Sequence, residues 1–99
     1  MSVVLTFRWD PRKAAANNGK HGVTFDEAQS AFADEAALVI ADPDHSDDED
    51  RFVLLGLSNV ARLLVVVHCL RDGGDTIRII SARKATRAES LAYTRRGEP

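Results

Sequence analysis

This chain of 99 residues has little cysteine, few aromatic residues and no long apolar run. Its single cysteine, Cys69, excludes an intramolecular disulfide and is compatible with a reducing cytoplasm. No N-terminal segment has the charged and apolar regions of a signal peptide, and no apolar run approaches membrane-spanning length. We therefore expect a cytoplasmic protein that has no membrane partner and forms a single domain over residues 1–99.

The net charge of -2 conceals a strong segregation of charge along the chain. Residues 34–50 contain eight acids and no lysine or arginine, whereas residues 71–96 contain seven bases and three acids. The segment before Val23 has four bases and one acid. If the two basic segments meet in space, they form a positive face. The alternative is a mosaic surface that has no net field.

Three helices are predicted from capping signals. Asp10 and Pro11 suit the start of the first helix, and Gly19 is available for a left-handed cap at its end. Thr24 begins the second helix and Thr86 the third, which runs to about residue 96. Both threonines have a glutamate three residues later, Glu27 and Glu89 respectively, which fits a capping box.

Apolar and β-branched runs between turn signals predict the strands. The predicted strands are residues 3–9, 36–41, 51–57, 63–70 and 77–82, and Asp72-Gly73-Gly74-Asp75 is a hairpin turn. The resulting element order indicates an α+β domain. We expect a mainly antiparallel sheet of four or five strands, with two N-terminal helices and one C-terminal helix packed on it.

The segment from Ile77 to Arg83 is the most informative one. Arg78 and Arg83 have opposite parity, so a regular strand directs them to opposite faces. Either one of them is structural, or the strand bulges or ends near Ser81 and brings both to one surface. Guanidinium groups fixed on a sheet are good phosphate ligands because the planar fork donates two parallel hydrogen bonds. The alternative is an edge strand whose arginines only keep it soluble.

Lys20 and His21 are expected in the connection between the first two helices, where a loop can present functional side chains. There Lys20 can bind a negative charge or act as a base, and His21 can relay protons near neutral pH. The alternative is a solvated lysine beside a histidine packed over a helix end. His68 lies in an apolar run and is expected to be a core or sheet-face residue. Histidine and cysteine form no compact ligand spacing, and residues 44–50 lack the glycine and glutamate of an EF-hand loop. We therefore expect no metal and no cofactor.

Arginine, lysine and histidine without a metal suit RNA cleavage by the ribose 2′-hydroxyl. That reaction needs a proton acceptor, a proton donor and cations that stabilise the charge on phosphorus. The substrate supplies the nucleophile, and the 2′-hydroxyl excludes DNA as a substrate.

Several segments, in order along nearly the whole chain, form a combined pattern. They are Phe7-Arg8-Trp9-Asp10-Pro11, Lys20-His21-Gly22-Val23, Glu49-Asp50-Arg51, Leu64-Val65-Val66-Val67 and, most specific, Ile77-Arg78-Ile79-Ile80-Ser81-Ala82-Arg83. Together they resemble the BrnT family of type II toxin–antitoxin toxins, which are ribonucleases with a RelE-like fold. The chain departs from the family pattern at Ser90, where an arginine is expected, and at Cys69, where a threonine is more common.

The resemblance implies an endoribonuclease toxin that cleaves RNA, arrests growth and is neutralised by a ribbon-helix-helix (BrnA-like) antitoxin. It also implies a hetero-oligomer with that antitoxin, in which contacts to operator DNA come only from the antitoxin. The candidate catalytic residues carried over are Lys20, His21, Glu49, Arg51, Arg78 and Arg83.

Each candidate has an expected role. Arg51, Arg78 and Arg83 bind phosphate and stabilise charge, and Lys20 or His21 assists proton transfer. The carboxylate expected to orient Arg51 is that of Glu49, although a role as base stays open. The main rival interpretation is a catalytically inactive module that binds an antitoxin and acts in repression of the operon. A third interpretation is a small RNA-binding accessory domain.

Overall fold

The computed structural model describes residues 5–45 and 50–96, and these form an α+β architecture. Five strands build one sheet in the spatial order β1-β5-β4-β3-β2. The strands are β1 Thr6–Arg8, β2 Leu38–Ala41, β3 Arg51–Leu57, β4 Leu63–Arg71 and β5 Thr76–Lys84. The helices are α1 Pro11–His21, α2 Phe25–Ser30 and α3 Arg87–Arg95, and short 3₁₀ turns occupy Ala31–Ala33, Pro43–His45 and Asp72–Gly74.

The sheet is mixed. The pairs β2–β3, β3–β4 and β4–β5 are antiparallel, whereas β1 pairs with β5 in parallel. The α+β class and the strand count agree with the prediction, but the sheet is not wholly antiparallel. The reason is that the first strand docks beside the last one, in the same direction, after the chain has passed through all the other strands. This pairing joins the N-terminal and C-terminal basic segments at one edge of the sheet.

Helices α1 and α2 cover one face of the sheet, which we call the core face. Its core includes Ile77, Ile79 and Ala82 of β5, packed with Val23 and Phe25. We call the opposite side the outer face, and it carries Arg51, Val65, Val67, Arg78 and Arg83. Helix α3 lies on the outer face, where Glu89 and Ala92 adjoin strand residues of β2, β3 and β4.

A β-bulge in β5 decides where the arginines point. Val67 is the partner of Ser81, but the next residue, His68, is the partner of Ile79, so Ile80 is an extra residue. The bulge reverses the parity of β5, and Ile77, Ile79 and Ala82 therefore all reach the core face. Arg78 and Arg83 in turn share the outer face. Of the two alternatives that the sequence leaves open, the structure contains the bulge.

The first helix is longer than predicted. It continues through Lys20 and His21, which therefore lie in its last turn and not in a connecting loop. The left-handed cap is Gly22, with φ 67°, and its N–H donates to the carbonyl of Asn18 at 2.8 Å. The prediction of Gly19 as the cap was wrong, because Gly22 is the glycine with the left-handed backbone, and Val23 directly after it packs in the core.

The other two helix starts are as predicted. The Thr24 side chain accepts a hydrogen bond from the N–H of Glu27 at 3.1 Å, although the Glu27 carboxylate binds Arg62 and Ser58 rather than closing a capping box. Thr86 and Glu89 form the full capping box of α3. Predicted residues 3 and 4 of the first strand lie outside the described residues.

Candidate functional site

A cavity of about 320 Å³ opens on the outer face between the strands, the Pro43–His45 turn and α3. Its apolar floor comes from the middle strands, including Val53, Val65 and Val67. Its polar lining is Asp42, Asp44, His45, Arg51, Ser81, Arg83 and Glu89. We call it the Arg51–Arg83 cavity. It brings together two of the arginines that the sequence predicted.

Asp42 organises one side of the Arg51–Arg83 cavity. Its Oδ2 accepts a hydrogen bond from Arg51 Nε at 3.0 Å and lies 3.2 Å from His45 Nδ1, and its Oδ1 accepts from the N–H of Asp44 at 3.0 Å. Burial alone raises the pKa of Asp42, but these bonds outweigh it and hold the pKa below its ordinary value. Asp42 is therefore a fixed anion that orients both a guanidinium and an imidazole.

Arg83 forms a bidentate ion pair with Glu89 of α3. Its two terminal nitrogens donate to the two carboxylate oxygens at 2.7 and 2.9 Å. This hydrogen bonding lowers the pKa of Glu89 from 4.5 to about 2, against the opposing effect of burial. The same contact raises the pKa of Arg83. Arg83 thus anchors the first turn of α3 to the sheet as well as lining the cavity.

Arg78 lies in a second cavity, of about 460 Å³, toward the other end of β5. The lining residues are Arg8, Arg71, Asp72, Thr76 and Arg78. The parallel pairing of β1 with β5 makes Arg8 the direct register partner of Arg78. The structure therefore places Arg78 on the same face as Arg51 and Arg83 but not in the same cavity.

Neither Lys20 nor His21 lines either cavity. Lys20 is exposed and His21 half-buried, both on α1, which packs against the core face. Glu49 lies outside the described residues. Within the part of the chain that is described, the carboxylate on Arg51 is that of Asp42.

His68 is a packing residue, as its apolar surroundings predicted. Its ring lies edge-on to Phe32, with centroids 4.8 Å apart, and stacks on Phe52 at 6.1 Å. Burial lowers the pKa of His68, so the imidazole is held in its neutral form.

Sequence reasoning missed Asp42 and His45 as site residues. Asp42 comes directly after the predicted strand 36–41, and the acidic segment that follows it was weighed as a metal site only in the form of an EF-hand loop, which it does not match. The one signal in the sequence is Asp42-Pro43, a pair typical of a turn that the aspartate side chain can close. The contact with Arg51 depends on the β2–β3 pairing, in which Ala41 is the partner of Phe52.

The site of this α+β fold therefore consists of guanidinium groups held on one sheet face beside a carboxylate–imidazole pair. Residues 9–89 match the family described as "Ribonuclease toxin, BrnT, of type II toxin-antitoxin system". The chain therefore belongs to the BrnT family of ribonuclease toxins, and the resemblance seen in the motifs is confirmed.

The fold is also similar to that of a solved structure, the 1.1 Å crystal structure of the Brucella abortus ribonuclease toxin, BrnT. The TM-score is 0.65 at 23% sequence identity, over 85% of this chain and 100% of that chain. No curated protein matches the chain. Within residues 5–45 and 50–96, no helix is long and apolar enough to cross a membrane.

Proposed function

We propose that this toxin cleaves RNA without a metal ion, by attack of a ribose 2′-hydroxyl on the adjacent phosphate. The observation that carries the proposal is the β5 bulge, which turns Arg83 onto the face of Arg51 and into one cavity with it. In the reaction the 2′-oxygen bonds to phosphorus, the bond to the 5′-oxygen breaks, and a 2′,3′-cyclic phosphate and a 5′-hydroxyl result. One proton leaves the 2′-oxygen and one reaches the 5′-oxygen.

Arg51 and Arg83 supply the charge stabilisation. Arg51 uses Nε for Asp42, and its terminal nitrogens make no hydrogen bond to another described residue. Those terminal N–H groups are the fork that suits two phosphate oxygens. Arg83 uses both terminal nitrogens on Glu89, and its Nε makes no hydrogen bond to another described residue. The carboxylates hold both guanidiniums in position before substrate arrives.

His45 is the proton acceptor in this proposal. With Nδ1–H directed at Asp42, its Nε2 carries the lone pair that can take the proton of a 2′-hydroxyl. Lys20 and His21 were predicted for proton transfer, but neither lines the cavity, whereas His45 does. Arg78 is a phosphate ligand outside the reacting centre. The proposal extends to growth arrest in the cytoplasm and to a ribbon-helix-helix antitoxin that neutralises the toxin and alone contacts operator DNA.

One observation favours a second candidate, an inactive antitoxin-binding module. Both arginines of the cavity already have carboxylate partners, Asp42 and Glu89. A purely structural role would use them only to anchor the Pro43–His45 turn and α3.

The test compares variants on the two sides of one ion pair. Wild type, Arg83→Gln and Glu89→Gln are expressed without a partner, and growth and bulk RNA integrity are followed. Cleavage of an oligoribonucleotide by the purified proteins in the presence of a chelator is then measured. If Arg83 is a transition-state donor, Arg83→Gln loses about two to three orders of magnitude in rate and Glu89→Gln loses far less. Equal losses of cleavage rate in the two variants would indicate that Arg83 acts only by anchoring α3 to the sheet. Intact RNA and normal growth with folded wild type would support the inactive module.

A further inference from the structure

The cavity around Arg78 has a charge that no structural role accounts for. Three guanidiniums, those of Arg8, Arg71 and Arg78, line it with one carboxylate, Asp72. The Arg51–Arg83 cavity is different, because three carboxylates line it with two guanidiniums. Among the described lining residues, guanidiniums therefore outnumber carboxylates in the cavity around Arg78 and not in the Arg51–Arg83 cavity.

The backbone forces two of these arginines together. Arg8 and Arg78 are register partners in adjacent strands, and their neighbours Phe7 and Ile77 pack in the core, so both arginines must point outward on the same side. Like charges in this arrangement repel each other and cost stability. Among the described residues, neither forms an ion pair. Such a pair is expected where an anion binds between the two groups.

The third guanidinium, that of Arg71, forms only a weak ion pair. Arg71 lies 3.7 Å from Asp50, but both side chains are about half exposed or more, at 48% and 67%. An exposed pair at that distance contributes little, so Arg71 can turn to a ligand. Asp72 is occupied by the Thr76 hydroxyl, which donates to it at 2.9 Å.

The register of the sheet connects this cavity to the proposed reaction centre. Arg78 is the partner of Cys69, and Cys69 is the partner of Arg51. Arg8, Arg78, Cys69 and Arg51 thus form one row across four adjacent strands, perpendicular to them. With strands about 4.8 Å apart, Arg78 lies roughly 10 Å from Arg51 at the level of the backbone. A nucleic-acid backbone crossing the strands meets a guanidinium at each end of this row.

We propose that Arg8, Arg71 and Arg78 form a phosphate site for single-stranded RNA, binding a phosphate next to the one that is cleaved. The assignment rests on the proposed function, because it places the scissile phosphate at Arg51 and Arg83. An acidic protein segment would also be attracted to this charge. The row shared with Arg51 favours RNA, since a phosphate backbone supplies evenly spaced single charges in the direction of that row.

The test uses a fluorescent oligoribonucleotide of about ten nucleotides that is fully 2′-O-methylated. It cannot be cleaved by 2′-hydroxyl attack, so binding is measured independently of catalysis. Kd is measured by anisotropy over a range of salt concentrations for wild type, Arg8→Gln and the control Arg12→Gln. Arg12 is an exposed arginine on α1, so its replacement removes the same charge elsewhere.

We expect Arg8→Gln to weaken binding about three- to tenfold, because it removes one charge-assisted hydrogen bond to phosphate. The slope of log K against log salt should fall by about 0.7, since one fewer phosphate is neutralised. Arg12→Gln should keep the wild-type slope. Arg8→Lys should also keep the slope, because the charge remains. If Arg8→Gln does not fold, Arg71→Gln takes its place, because it removes one charge from the same cavity at an exposed position.

Two results would overturn the site. One is the same slope and Kd for Arg8→Gln and Arg12→Gln. The other is unchanged RNA binding together with a loss of antitoxin binding in Arg8→Gln, which would assign the cluster to a protein partner. Failure of the proposed function is a separate result: wild type that binds the oligonucleotide with the Arg8-dependent slope but does not cleave unmethylated RNA would retain the site and refute the catalysis.

Discussion

Asn17 shows how one buried polar side chain replaces a missing strand. Strand β1 pairs with β5 only along Thr76, Ile77 and Arg78, so the backbone at Ala82 has no strand on that side. The Asn17 amide donates to the carbonyls of Ala82 and Val23 at 2.8 and 2.9 Å, and its oxygen accepts from the N–H of Ala82 at 3.0 Å. All three groups are buried, so α1 is fixed beside Arg83 by hydrogen bonds that water does not replace.

We expect Asn17→Ala to lower the free energy of unfolding by about 2–4 kcal/mol. The change removes three hydrogen bonds and leaves buried backbone groups unsatisfied, and each such group costs on the order of 1–3 kcal/mol. Urea unfolding followed by the fluorescence of Trp9 measures the loss. The control is Asn18→Ala, an exposed neighbour in the same helix, which should change stability by less than about 0.5 kcal/mol. Equal effects of the two substitutions would contradict this role.

At the scale of the element, two glycines differ in whether their surroundings have room for a side chain. A Cβ on Gly56 of β3 would lie 2.9 Å from the carbonyl oxygen of Ala31 and 3.2 Å from Cβ of Ala37, so the 3₁₀ turn packs directly on the strand backbone. Gly19 has nothing within 4 Å and lies inside α1.

We therefore expect Gly56→Ala to destabilise the protein by about 1–3 kcal/mol, the usual cost of overpacking. Gly19→Ala should stabilise it by about 0.5–1 kcal/mol, since alanine is the better helix former. Urea unfolding of both variants checks the signs. Destabilisation by Gly19→Ala would indicate that Gly19 has a left-handed backbone and caps the helix, as the sequence suggested. It would contradict the helix bounds given above.

The Arg83–Glu89 pair makes the docking of α3 sensitive to acid. The folded-state pKa of Glu89 is about 2, below its ordinary 4.5, so the pair contributes its stability above about pH 4.5 and loses it as the pH falls toward 2. We expect Glu89→Gln to be less stable than wild type at neutral pH and the difference to shrink through this window. Urea midpoints across the pH range measure it. Glu35→Gln, at an exposed position without an ion pair to a described residue, serves as the control. A constant difference at all pH values would refute the assignment.

The sequence predicted the elements better than their arrangement. Caps at Thr24 and Thr86 and the hairpin at Asp72 are local, and the structure confirms them. The parallel pairing of β1 with β5 joins residues that are far apart in the chain, such as Arg8 and Arg78, and no local sequence signal predicts it. The bulge at Ile80 is a similar case. The opposite parity of Arg78 and Arg83 suggests that β5 is irregular if both share a face, but only the pairing with β4 shows where the irregularity lies.

The candidate site follows the same division. Arg51 and Arg83 were found because their residue type and strand context carry the chemistry. Asp42 and His45 were missed, since their importance comes from contacts made across β2 and β3. The grouping of Arg8 with Arg78 was anticipated only as a possible meeting of two basic segments.

At the scale of the whole molecule, stability is distributed unequally over the two faces of the sheet. Strand β4 is central and has buried residues on both faces, such as Leu64 and Val66 on the core face and Val65 on the outer face. Helix α3 has no buried residue and is held mainly by polar contacts, those of Glu89 with Arg83 and of the Tyr93 hydroxyl with Asp34. On the outer face, the central strands are therefore firmly packed, whereas helix α3 is attached to them more weakly.

We expect amide hydrogen exchange to show this difference directly. The amides of β4 should exchange only through global unfolding, because breaking their bonds opens the core. The amides of α3 should exchange faster, through local opening, since few apolar contacts hold the helix. Tyr93→Phe should speed exchange in α3 further and leave β4 nearly unchanged, and Thr94→Val, at an exposed position of the same helix, is the matched control. Equal protection of α3 and β4 would mean that the helix belongs to the cooperative core, and the Arg51–Arg83 cavity would then be closed on the α3 side by a rigid wall.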